Sequence, residues 1–141
     1  MKFKQLSIFL KYFPHARYHS EVRLLTWHPR GTLDDTLADE VLAMIEAEET
    51  VENVPFHRYT DLSRLTDIRL KIGPVFEIAE HRRAAGEPVR SAFFADTTVG
   101  FGIARLYEEL MQGAVIHVRA FRDRDVAAEW LGVPVRLLQP Q

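Results

Sequence analysis

From residue 54 onward one local order recurs. A short apolar run ends in a hydroxyl or acidic residue, and a stretch with apolar residues at helical spacing follows. The runs are Val54 to Thr60, Val89 to Ala95 and Val115 to Phe121. The residues that close them are Asp61-Leu62-Ser63, Asp96-Thr97-Thr98 and Arg122-Asp123. Strands separated by helices cannot pair as hairpins. They lie parallel and are joined by right-handed crossovers. This alternation therefore demands an α/β layer architecture.

The helical stretches support the pattern. Leu37, Val41, Met44 and Ile45 form one apolar stripe, with Asp34 or Asp35 suited to the N-cap. Leu65 to Leu70 reads as ambiguous, a distorted turn from Thr66 being one option, and a second helix is expected from about Gly73 to Ala85, with Pro74 tolerated in its first turn. Val75, Ile78, Ala79 and Arg82 line its inner face, the arginine stem lying over apolar surface. Gly86 suits its C-terminal end. A third helix, about 99–111, carries Ile103, Leu106, Tyr107, Leu110 and Met111, while Gly100 and Gly102 weaken its first turn. Either those glycines admit a neighbouring backbone or ligand, or the helix starts later. Asp123 caps a short last helix bearing Val126, Ala127, Trp130 and Leu131, which Gly132 and Pro134 end.

Upstream, residues 5–13 and 22–27 read as two strands that pair antiparallel at a sheet edge, with 14–20 a polar connection. The expectation is one domain over 1–141, with 1–20 an N-terminal extension or edge strand and 133–141 a C-terminal tail. An exposed apolar N-terminal segment is compatible with a homodimer. A chain of 141 residues supports its own core without staples. The absence of cysteine excludes disulfides and thiolate chemistry. A net charge of −2 gives no nucleic-acid footprint. The apolar run Leu6 to Leu10, cut by Lys11, is too short for a signal peptide, and no stretch is long enough for a membrane span, so a cytoplasmic location is expected.

Several of these stretches carry a resemblance. Thr60-Asp61-Leu62-Ser63 resembles the D-L-S step of STAS domains, and Gly31-Thr32-Leu33-Asp34 resembles their G-x-L-D turn. Arg105 to Met111, Val118 to Asp123 and Ala127 to Gly132 are similar to the bacterial SpoIIAA-like group, also described as STAS/SEC14-like. The resemblance implies a mixed sheet of about five strands, the central ones parallel, with about four helices. It also implies a non-enzymatic binding module. Anti-sigma antagonists of this kind bind a protein partner, and SEC14-like members hold hydrophobic ligands or lipids. The antagonists' phosphorylatable serine would align near Leu70 or Lys71, where there is no hydroxyl, so the implied role is without the phosphoserine switch.

Candidate site residues follow from the expected topology. Strand C-termini of a parallel sheet share one edge, where ligands collect. Asp61, Ser63, Asp96, Thr97 and Thr98 fall on that lip, with Thr66 and Lys71 beside it at the expected start of a helix. These are the candidates for docking a protein partner, although Asp and Thr at such positions are also ordinary helix caps. Phe93, Phe94 and Phe101 are candidates for lining an apolar pocket between sheet and helix, the alternative function being a carrier of a small hydrophobic ligand. A third reading is a hydrolase or lyase that uses the lip carboxylates as an acid/base pair; it has no legible base–nucleophile pair behind it. His15 and His19 lack a third ligand at metal spacing, so no metal and no cofactor is expected. His57 and His117 are expected to be partly buried structural residues.

Overall fold

A computed structural model of the chain describes residues 15–40, 56–83 and 88–140. In chain order it contains β1 (Ala16–His19), β2 (Leu24–Trp27), β3 (Gly31–Asp34), the helical residues 35–40 (α1), β4 (His57–Asp61) and β5 (Leu65–Arg69). There follow α2 (Ile72–Arg83), β6 (Arg90–Phe94), α3 (Thr98–Leu110), β7 (His117–Phe121), α4 (Arg124–Leu131) and a 3-10 turn (Val135–Leu138).

The main sheet has the order β1-β2-β4-β6-β7, and β3 and β5 form a separate two-stranded sheet. Strands β2, β4, β6 and β7 are parallel, as the alternation requires, and β1 is antiparallel at the edge. The edge strand is not the one expected. Residues 5–13 and 41–55 lie outside the described residues, as does Gly86, and β1 occupies the stretch read as a polar connection. Two β1 residues, Tyr18 and Ala16, face the apolar row of Leu25 and Trp27 and draw the segment into the sheet.

The ambiguous stretch 65–70 is resolved against the turn option: Leu65–Arg69 is strand β5, paired parallel with β3. Ile68 and Leu65 are half-buried, while Thr66 and Arg69 are exposed. That pattern suits a strand at the surface, and the helix begins at Ile72.

Register divides the main sheet into two faces. On one face lie Thr26, Tyr59 and Ala92 in one row and Asp61, Phe94 and Phe121 in the next. This face packs on Ala127, Ala128 and Leu131 of α4 and on Leu138, which is fully buried. The segment read as a C-terminal tail therefore reaches the core through Leu138. On the opposite face lie Leu25, Arg58 and Ser91 in one row and Trp27, Thr60 and Phe93 in the next. That face is covered by α2, α3, α1 and the small sheet. Its apolar contacts fall into two groups, one around Trp27, Leu33 and Leu62 and one around Ala79, Met111 and Ile116.

The caps form as their chemistry dictates. Asp34 accepts from the Leu37 N–H at 2.9 Å, Thr97 from the Gly100 N–H at 3.1 Å and Asp123 from the Asp125 N–H at 2.8 Å. Gly132 ends α4 in the left-handed conformation, φ 73°. Gly100 is buried because it must be small: a Cβ there would stand 2.9 Å from Thr97 Oγ1. It admits the cap rather than a ligand, and the helix starts at Thr98 in spite of it. No described helix is long and apolar enough to cross a membrane.

Candidate functional site

Two features stand on opposite faces of the sheet. The first is a polar cluster around Asp61, the last residue of β4. Tyr59 and Asp61 are two apart in a strand and so share a face, and the Tyr59 hydroxyl donates to Asp61 Oδ2 at 2.7 Å. The chain then turns, and the Ser63 N–H and hydroxyl both donate to Asp61 Oδ1, at 2.9 and 2.5 Å. Arg124, the first residue of α4, donates from Nε to Asp61 Oδ2 at 3.0 Å and from Nη2 to Ser63 Oγ at 2.9 Å. Its guanidinium also lies over the Phe94 ring, 4.4 Å from the centroid. His28 Nε2 is 3.6 Å from Asp61 Oδ2, but it donates to the Leu138 carbonyl at 2.8 Å. A carbonyl only accepts, so that contact places the proton on Nε2.

The electrostatics follow from these contacts. Burial pushes the Asp61 carboxyl up, but the hydrogen bonds from Ser63, Tyr59 and Arg124 outweigh it and hold the group below the usual carboxylate range. Burial, and then the Asp61 charge, push the Tyr59 phenol upward. For Arg124 partial burial is outweighed by the bond to Asp61, and its guanidinium is held more firmly charged. Burial lowers His28 despite the Leu138 carbonyl and Asp61. A carboxylate so stabilised is a poor base, and the Ser63 hydroxyl beside it gains no nucleophilic activation from it.

The lip itself is as expected: Asp61, Asp96 and Asp123 stand at the ends of three parallel strands at one edge. The accessibilities differ. Asp61 is fully buried, which removes its carboxylate from a docking surface, and Ser63 is half-buried beside it. Asp96, Thr97, Thr98, Thr66 and Lys71 are exposed, and Thr97 is engaged as a cap. Lys71 stands between β5 and α2, with its N–H donating to Asp35. The sequence reading missed Tyr59, His28 and Arg124. Strand alternation would have paired Tyr59 with Asp61, but the other two arrive from 33 and 63 residues away, through register and the α4 docking angle.

The second feature is a cavity of about 170 Å³ on the opposite face, between the sheet and helices α2 and α3. Its wall is mainly apolar: Leu25, Trp27, Leu62, Leu70, Val75, Ile78, Ile103 and Ile116 among others. Of the three phenylalanines expected around such a pocket, only Phe93 lines it. Phe94 points to the other face, because it is one residue along the strand from Phe93. Phe101 packs with the Trp27 and Leu62 group and under Arg122. Arg58 and Arg82, both buried, also line the cavity. Arg58 faces inward by strand alternation, and Arg82 by the helical spacing that placed it with Val75 and Ala79. Among the described residues no group of three or more potential metal ligands is assembled. His57, half-buried, accepts from the Arg90 N–H at 3.0 Å, whereas His117 is exposed, contrary to expectation.

A crystal structure of an uncharacterized protein of the DUF3478 family from Shewanella loihica PV-4, with a SpoIIAA-like fold, matches this chain with a TM-score of 0.54. The match covers 82% of this chain and 90% of that one at 14% sequence identity. The fold is SpoIIAA-like. No protein-family model and no curated protein matches the sequence. An identity so low carries the SpoIIAA-like architecture and nothing about activity.

Proposed function

We propose that this chain is a small-molecule binding module that holds a compact apolar ligand in the cavity between the sheet and helices α2 and α3. The observation that carries this reading is the cavity itself. Interiors are close-packed, and voids larger than a water molecule are few. Here a partly open space of about 170 Å³ lies beside two groups of core residues on one face, while the opposite face packs as a single group. An apolar void of about 150 Å³ accommodates benzene, so the space suits a ligand of one ring or a short chain.

Titration of isotopically labelled protein with toluene, followed by heteronuclear NMR, tests this. Saturable shifts confined to residues such as Ile103, Ala104 and Val75 are expected. Shifts that are absent, or that scatter over the surface, would remove the proposal.

A second reading is protein docking at the lip, favoured by Val99, which is 63% exposed beside Asp96, Thr97 and Thr98. In a pull-down from a lysate of the native host, Val99→Glu is expected to lose a partner that the wild type retains. Equal recovery would dismiss this reading.

A further inference from the structure

We infer that the chain binds a tetrahedral oxyanion, the phosphate group of a small phosphomonoester, in a polar cleft between β1, the end of β2 and the 3-10 turn. The cleft measures about 650 Å³, and its wall includes Arg17, His19, Glu21, Thr26, His28 and Arg136. It lies on the side of the sheet that carries Leu138, opposite the apolar cavity, and stands independently of that site.

Strand geometry sets the directions. Arg17 stands opposite Thr26 in the antiparallel register, and His19 opposite Leu24. Facing residues and residues two apart share a side, so Arg17 and His19 project where Thr26 and Leu24 do. The turn that holds Arg136 is fastened there by the fully buried Leu138, whose carbonyl accepts from His28. Cations thus arrive from two elements far apart in sequence, and both act on one ring. Burial lowers the pKa of His19, Glu21 opposes this, and the charges of Arg17 and Arg136, with His28, lower it further. Arg17 and Arg136 are exposed, and neither forms an ion pair with a described residue. His15 and Arg30 belong to the same wall, and Glu21 is the only carboxylate among the described lining residues. Even with Arg30 set aside, two arginines outweigh one carboxylate.

A planar carboxylate fills the fork of one guanidinium. A tetrahedral dianion offers oxygens in several directions and can meet two guanidinium groups that come from different elements. His19 can add a third charge. The Thr26 hydroxyl donates to the Arg17 carbonyl at 3.4 Å, so its oxygen accepts from His19 Nε2 at 3.1 Å, and Nδ1 is the nitrogen that takes up a proton. A bound dianion favours that proton, and the proton favours the dianion. The cleft is roomier than one such ion, which leaves space for the body of an ester.

Sulfate is the first probe, since it keeps both charges wherever histidine titrates. Histidine NMR spectra of the full chain are followed as sodium sulfate replaces sodium chloride at constant ionic strength. The expected result is a saturable shift of His19 and a rise of its pKa by about half a unit to one unit, with sulfate bound about three- to tenfold more tightly near pH 5.5 than near pH 8. His57 and His117, which line no part of the cleft, should not respond. Arg17→Gln and Arg136→Gln should each weaken sulfate binding at least about fivefold, and Glu21→Gln should strengthen it. Acetate should bind at least about fivefold more weakly than sulfate, and glycerol 3-phosphate at least as tightly as inorganic phosphate. No saturable response of His19, or arginine variants that bind sulfate as the wild type does, would overturn the site. Equal affinity for acetate and sulfate would overturn the dianion, and binding of inorganic phosphate without glycerol 3-phosphate would overturn the ester.

Discussion

Arg124 Nε meets Asp61 Oδ2 at 3.0 Å, joining the first residue of α4 to the last residue of β4. The carboxylate is fully buried, and each of its oxygens accepts two hydrogen bonds from the chain. The helix is thereby tied to the sheet edge by a charge that water cannot satisfy. Asp61→Ala would leave a partly buried guanidinium and a buried phenol without their acceptor, so a loss of about 3 kcal/mol is expected. Chemical denaturation measures it. A double-mutant cycle with Arg124→Met should give a coupling of about 1–3 kcal/mol. Additive losses would mean that the pair is incidental.

Acid should weaken the fold in two stages. The folded His28 has its pKa below the ordinary 6.5, chiefly through burial, and burial shifts His19 and His57 the same way. The unfolded chain therefore takes up protons first. These groups contribute fully above about pH 6.5, and their contribution falls as pH drops toward the folded values. Asp61, also lowered, adds a second loss as pH falls below its ordinary 3.8. Thermal melts from pH 8 to 3 check this. The midpoint should fall between pH 7 and 5, and His28→Gln should flatten part of that fall. A midpoint constant over that interval would contradict the burial argument.

Two glycines in one helix should respond with opposite signs. Replacing a helical Gly by Ala gains about 1 kcal/mol where there is room. Gly102 is exposed, and a methyl group there would meet nothing within 4 Å, so Gly102→Ala should stabilise. At Gly100 a Cβ would stand 2.9 Å from Thr97 Oγ1 and 3.2 Å from Ala95 Cβ. The cap must then move, at a cost of about 1–2 kcal/mol, and Gly100→Ala should be destabilising on balance. Melting temperatures of the two variants decide it, and a rise in both would refute the crowding.

The parallel order was legible because strand, cap and helix repeat in the sequence, and each repeat fixes its own crossover. The inner face of α2 was legible for the same local reason, with Val75, Ala79 and Arg82 all buried. What escaped was decided by distant partners. Residues 16–19 become a strand because β2 offers an unpaired edge, and 65–69 because β3 does. Asp61 read as a lip residue because a carboxylate at a strand end is usually solvated. Nothing local announces that Arg124 will cover it. The cavity was anticipated through Phe93 alone. That Arg58 also lines it needed the register that sets this residue beside Ser91 on the same face.

Filling the cavity tests the space and its use together. Ala104 is buried on α3 and lines the void. In a closely packed interior, added methylenes cost about 1–3 kcal/mol through strain. In a void they gain dispersion contacts instead and remove unfilled volume. Ala104→Leu is therefore expected to leave stability within about 0.5 kcal/mol of the wild type or to raise it. The same variant should lose the toluene-induced NMR shifts. A loss of about 2 kcal/mol or more would mean that the space closes in solution, and with it the ligand site.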